Sequence, residues 1–263
     1  MRRILTTTTM AVLLAAGATV RAADDDDTSA PAPSFETSTR AAAGVAAFAP
    51  FSQSPSIEGR HAIITGLGGY DSSKHESSFE AATEVVLWGP IALRGGAVYT
   101  HDNNTLKPSF GARVQGLREG RHGVDGALGV FYKPEGLTEA EGEIESVLSI
   151  GRHVGANYLL ANLAYGQDFD GNERDGEVRL SGLRPTGRYF VVGLDSRLRF
   201  DLGSNQAKLA AHHEPTLDGV AGPMALALLG PVAVSLQAGP SVTRLQGATT
   251  WGATVMSGLA TAF

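Results

Sequence analysis

The chain of 263 residues has no cysteine. That single absence excludes disulfides, thiolate metal sites, a cysteine nucleophile and a lipid-anchoring cysteine. Charged residues are scarce, at 18%, against a usual share of about 25%. No basic patch is available to meet nucleic acid. The signatures G-x-S-x-G, H-E-x-x-H and the phosphate-binding glycine loop are missing, so no catalytic residue and no cofactor is expected. One uncharged stretch, 219–243, has the length of a membrane helix. Pro223, Pro231 and Pro240, each preceded by glycine, would break it. What is present is 43% hydrophobic residues and 33 glycines. The chain is too apolar for disorder and lacks the period of collagen. A glycine-rich β protein is favoured.

The first 22 residues read as an export signal. Met1-Arg2-Arg3 is basic, Met10 to Val20 is apolar, and Val20-Arg21-Ala22 supplies small or apolar residues around a cleavage site after Ala22. Eleven apolar residues are too few to span a bilayer. Removing Arg2, Arg3 and Arg21 takes the net charge from −6 to −9. Four of the acids are Asp24 to Asp27, in a solvated tail that continues into Ala/Pro-rich sequence. Export without cysteine suggests a fold that does not rely on disulfides. The domain reading is a signal peptide over 1–22, an acidic Pro/Ala N-terminal segment over 23–56, and the folded domain over 57–263.

From about residue 57 the chain breaks into segments with strict alternation. Phe79, Ala81, Thr83, Val85 and Leu87 fall on one face, and Glu80, Ala82, Glu84, Val86 and Trp88 on the other. Over 188–201, Phe190, Val192, Leu194, Leu198 and Phe200 oppose Asp195, Arg197, Arg199 and Asp201. Such segments are half-apolar strands. The pattern predicts strands near 60–70, 78–88, 90–101, 109–118, 122–134, 139–152, 154–167, 173–184, 187–201, 222–229, 231–241 and 249–263, about twelve with ten as the lower bound. Pro223 is expected to shorten the tenth. Tight connections (Gly89-Pro90, Glu119 to Arg121, Pro185-Thr186, Gly230-Pro231) alternate with longer polar ones (71–77, 102–107, 134–138, 168–172, 203–218), which sorts the loops to one end. Leu87 to Leu93 echoes Leu228 to Val234, one Gly-Pro turn used twice.

Alternation alone does not say which way the apolar face points. Two features do. The rings on the apolar parity, Phe79, Tyr99, Phe110, Tyr132, Tyr165, Phe200 and Trp251, fall at the long-loop end of their strands, with Phe190 and Phe263 near the other. Rings at two heights match the aromatic girdles of membrane interfaces. The chain also ends on an alternating strand of Trp251, Ala253, Val255, Leu259, Thr261 and Phe263. On these residues the chain resembles bacterial outer-membrane β-barrel proteins, porin-like, over roughly 57–263. The resemblance implies an all-β, antiparallel transmembrane barrel with both termini periplasmic, embedded in outer-membrane lipid. It also implies a last strand, closed by Phe263, that is read by the barrel-assembly machinery. A secreted soluble β-barrel or sandwich is the rival fold.

In a membrane barrel the polar parity faces inward, because Lys or Arg facing lipid costs about 2–4 kcal/mol at the midplane. The expected lumen-facing residues are Glu80, Glu84, Arg94, Arg113, Asp125, Glu143, Glu145, Arg179, Asp195, Arg197 and Arg199. They would either line a narrow pore or cross-link into a plug of salt bridges. Metal binding is not expected. His212-His213-Glu214 reads as an exposed polar loop. The run from Asp168 to Glu177 resembles the start of a calcium loop but has Glu173 where glycine is needed and Arg179 where the bidentate glutamate belongs. Three functions remain open: a small passive pore, a non-conducting barrel that uses its long loops to meet a partner, and an outer-membrane lipid hydrolase.

Overall fold

The structure, a computed structural model, describes residues 49–57, 61–102, 104–134, 142–169, 171, 173–203 and 215–263. The export signal, the acidic run, the whole connection 135–141, residues 204–214 of the long loop with His212-His213-Glu214, and part of the loop after Asp168 lie outside these residues.

Alternating sequence gives twelve strands: β1 (Ala62–Asp71), β2 (Glu76–Trp88), β3 (Ile91–Thr100), β4 (Thr105–Leu117), β5 (Asp125–Pro134), β6 (Gly142–Val154), β7 (Asn157–Asp168), β8 (Arg174–Pro185), β9 (Phe190–Asp201), β10 (Leu217–Leu229), β11 (Val232–Leu245) and β12 (Ala248–Ala262). A single helical turn, α1 (Glu119–His122), joins β4 to β5. Each strand pairs antiparallel with the next, and β12 returns to β1, so the sheet is a closed barrel without edges. Closure is completed at the chain end. Phe263 N–H donates to Ala62 C=O at 2.9 Å, and Phe263 C=O accepts from His61 at 2.6 Å.

The outer surface carries the apolar parity. Phe79, Val85 and Leu87 of β2, Leu159, Leu163 and Tyr165 of β7, and Phe190, Val192, Leu194 and Leu198 of β9 are all exposed. An exterior of this kind is stable only against lipid, since water would leave hundreds of Å² of apolar surface solvated. The fold is therefore an all-β, antiparallel transmembrane barrel. No helix among the described residues is long and apolar enough to cross a membrane.

Three local features differ from the sequence expectation. β10 begins at Leu217 and runs straight through Pro223, and β11 continues to Leu245 through Pro240. The reason is a gap in their shared ladder, which is broken between the pairs Val220–Ser241 and Met224–Gln237. Inside it Gly222 and Gly239 approach so closely that a Cβ on either would meet the carbonyl oxygen of Ala238 or Ala221 at 2.1 or 2.0 Å. Both prolines stand where no ladder donor is needed. Second, a register shift at Val86 and Trp88 takes Trp88 off the inward parity, and its ring is 78% exposed. Third, the loop end is less uneven than the sequence suggests. The β1–β2 and β3–β4 connections are four residues long, and β11 joins β12 through Gln246-Gly247 alone. Both of these have positive φ, 49° and 83°, as a two-residue type I′ hairpin requires.

Candidate functional site

The lumen divides by height. In the half near the short turns, the inward residues of β7 to β10 are largely apolar. Tyr158 and Leu160 of β7, Leu183 of β8, Val191 of β9, and Met224 and Leu226 of β10 form one buried cluster with Ala49. Above them a strap from the N-terminal side of the barrel sequence crosses the lumen. Phe51 N–H donates to Asp195 Oδ2 at 2.9 Å and Ser52 Oγ to Asp195 Oδ1 at 3.1 Å. Asn162 takes both backbone groups of Gln53, accepting its N–H at 2.7 Å and donating to its C=O at 2.8 Å. Arg113 donates to Ser54 C=O, and Ile57 N–H reaches Gln115 Oε1 at 2.9 Å. The strap thus passes from the β9 wall to β7 and on to β4. Its residues Ser54, Pro55 and Ile57 are fully buried. The division at residue 57 is one of sequence pattern. In space Ala49–Ile57 belong to the interior.

A cavity of about 850 Å³ reaches the loop end above the strap and continues past it along β1, β11 and β12 toward the turn end, where Ile63, Ala233 and Ala260 line it. Glu80, Glu84, Arg94, Arg113, Glu143, Glu145, Arg179, Arg197 and Arg199 line it. The other two residues of the expected lumen set lie elsewhere. Asp195 sits beneath the strap, bonded to Ser52 and Ser181. Asp125 stands at the turn end, accepting from Glu119 N–H at 2.9 Å. Further lining residues escaped the sequence reading: Lys133, Asp175, Glu177 and Asp218. Lys133 shares a parity with buried Phe131, a signal that was present. Asp218 precedes the expected start of the tenth strand near 222, whereas β10 begins at Leu217.

These charges pair around the wall. Arg113 meets Glu84 at 2.5 Å, both buried. Lys133 meets Glu145 at 2.5 Å, Arg179 bridges Glu177 and Glu145, Arg199 meets Asp175, and Asp218 takes Arg197 at 2.5 Å and Lys74 at 2.7 Å. Arg94 and Glu80 sit 3.2 Å apart and are the most exposed of these pairs. The charged arc runs over β2 to β10. Across from it, β11 and β12 present Ser235, Gln237, Ser241, Thr243 and Thr254.

The rings assigned to the loop-end band lie on the outer face. Phe79 pairs with Tyr99 and Phe110 with Tyr132 across adjacent strands. Phe79, Phe110, Tyr132, Tyr165 and Trp251 are exposed, while Tyr99 and Phe200 are half-buried. Trp88, Tyr189, Phe190 and Phe263 are exposed at the turn end. Among the described residues no group of three or more His, Asp or Glu side chains is arranged to hold a metal ion.

Closure, an apolar exterior and a charged interior define a twelve-stranded antiparallel transmembrane β-barrel. Known structures agree on the fold. The chain is similar to the NanC porin, with 8% identity and a TM-score of 0.54 over 76% of this chain and 100% of that one. It is similar to the KdgM porin at 8% identity and a TM-score of 0.51, over 76% of this chain and 99% of that one. The KdgM porin solved in complex with disordered oligogalacturonate gives a TM-score of 0.50 at 8% identity, over 76% of this chain and 99% of that one. No protein-family model and no curated protein sequence matches the chain.

Proposed function

We propose that the protein is a small passive pore of the bacterial outer membrane, exported by its signal peptide, with both termini on the periplasmic side. The carrying observation is the charged cavity of about 850 Å³ inside a lipid-compatible barrel. A purely structural barrel has no need of a hydrated interior. Small polar solutes and ions would enter from the loop end, where opposed charges set a transverse field. Acidic side chains outnumber basic ones along the lining, which favours cations. The C-terminal strand closed by Phe263 would be what the assembly machinery reads. The porin neighbours support a channel over an enzyme, and solute identity does not follow from them.

The strap favours a second reading, a non-conducting barrel that uses its loops to meet a partner. Planar-bilayer recording of the purified full chain separates the two. Discrete conductance steps with a mild cation preference are expected. A barrel that shows heat-modifiable migration, stays silent, and remains silent when the strap is loosened by the substitutions described below would overturn the pore.

A further inference from the structure

The strap is held by its backbone. Four side chains of the wall, Asp195, Asn162, Arg113 and Gln115, together bind two N–H and two C=O groups of residues 51–54 and the N–H of Ile57. Asn162 presents an acceptor and a donor to one residue, as a neighbouring strand would. Between its ends the strap buries one apolar aliphatic ring, Pro55. Ser52, Gln53, Ser54 and Ser56 are small or polar. The Phe51 ring lies 5.2 Å from the Arg197 guanidinium, and buried Ile57 is the one large aliphatic side chain. A permanent core element would be fixed by apolar packing. Hydrogen bonds to backbone groups can be returned to water at small net free energy.

The path of the strap points the same way. Ala49 packs in the cluster at the turn end, residues 51–54 stand at mid-height, and Ile57 descends to Gln115 near the turn end of β4. Both limbs of this inverted U lead to one side. It can leave without threading through the charged half.

We propose that the lumen carries a site for an extended peptide backbone, and that Ala49–Ile57 is its tethered, exchangeable ligand, which narrows the lumen until it withdraws toward the turn end. The peptide site stands on the contacts above. Only its consequence for conduction rests on the pore reading. A tether places the segment at an effective concentration of about millimolar, so in the wild-type chain the site is occupied.

The test uses the full chain with Phe51→Pro and Gln53→Pro, which delete two N–H donors and leave the wall untouched. A fluorescein-labelled synthetic peptide of residues 49–57 is titrated against it, with anisotropy as the readout. Saturable binding is expected, at least tenfold weaker to the wild-type chain and to the double-proline chain that also carries Asn162→Ala. Conductance should rise in the double-proline barrel and fall when the peptide is added. A correctly migrating double-proline barrel that ignores the peptide overturns the site, as does equal binding to the Asn162→Ala barrel. Peptide binding to a barrel that never conducts keeps the site and overturns the pore.

If the double-proline chain does not fold, Ser52→Cys with Ser181→Cys gives a second route. The two hydroxyls are 2.5 Å apart in a chain with no other cysteine. Oxidation should lock the strap. After reduction the introduced thiols should react with a bulky maleimide, and thiols that stay inert in the reduced barrel would overturn exchange.

Discussion

Strand β7 carries both halves of the lumen along one inward parity. Tyr158 and Leu160 are buried in the apolar cluster near the turns. Asn162 then holds the strap, Ala164 packs with Phe131 and Val147, and Gly166 lies beside the cavity. The same change of content occurs on β9, from Val191 through Asp195 to Arg197 and Arg199. On these two strands height, not parity alone, decides whether the interior is dry or wet. On the side of β7 to β10 the turn half is packed like a small protein core. The loop half is a ring of ion pairs around open volume, where side chains can exchange partners and still reach water.

That contrast can be broken most severely at the boundary. Arg113 is buried and serves both Glu84 and the strap carbonyl of Ser54. Arg113→Ala would remove the buried cation beside the Glu84 carboxylate and the donor to Ser54 C=O, and a loss of about 3–5 kcal/mol is expected, measured by urea unfolding in detergent or lipid. The outer face should ignore the division. Leu163, exposed next to inward Asn162, lies near mid-strand, and Leu163→Arg is expected to destabilise by about 2–4 kcal/mol in bilayers, read from reversible folding into vesicles. Leu226→Ala opens a cavity in the turn-half cluster. Its flexible neighbour Met224 can move in, so about 2 kcal/mol, the low end for such truncations, is expected in the same assay. In the loop half, Arg94 and Glu80 are partly exposed, and Arg94→Ala should change stability by less than about 1 kcal/mol. Its effect belongs to function: with one cation gone, the reversal potential in a salt gradient should shift toward cation selectivity. A large stability loss from Arg94→Ala, or none from Leu226→Ala, would show that the two halves are not built differently.

Much of this was legible in the residues. Alternation places Phe79 and Leu87 outside and Glu80 and Glu84 inside before any pairing is known, because successive strand side chains point to opposite faces. It fails where the local rule is interrupted. At Trp88 a register shift moves the residue to the other side. At Pro223 and Pro240 a gap in the ladder removes the need for the donor that proline lacks. Neither is visible along the chain, since each depends on the partner strand. Asn162 and Gln115 carry no motif. They matter because Gln53 and Ile57 arrive beside them from 109 and 58 residues away.

The chain by itself determined the number of strands, the face each turns to lipid and the charged character of the opposite face, because a period of two is a property of neighbours. What fills the lumen was decided only in three dimensions. Closing β12 on β1 brings the walls within side-chain reach of one another. Inside that space, backbone groups of Ala49–Ile57 that pair with no strand find partners on β4, β7 and β9. Buried peptide groups must be hydrogen-bonded, and the wall that satisfies them exists only once the barrel has closed.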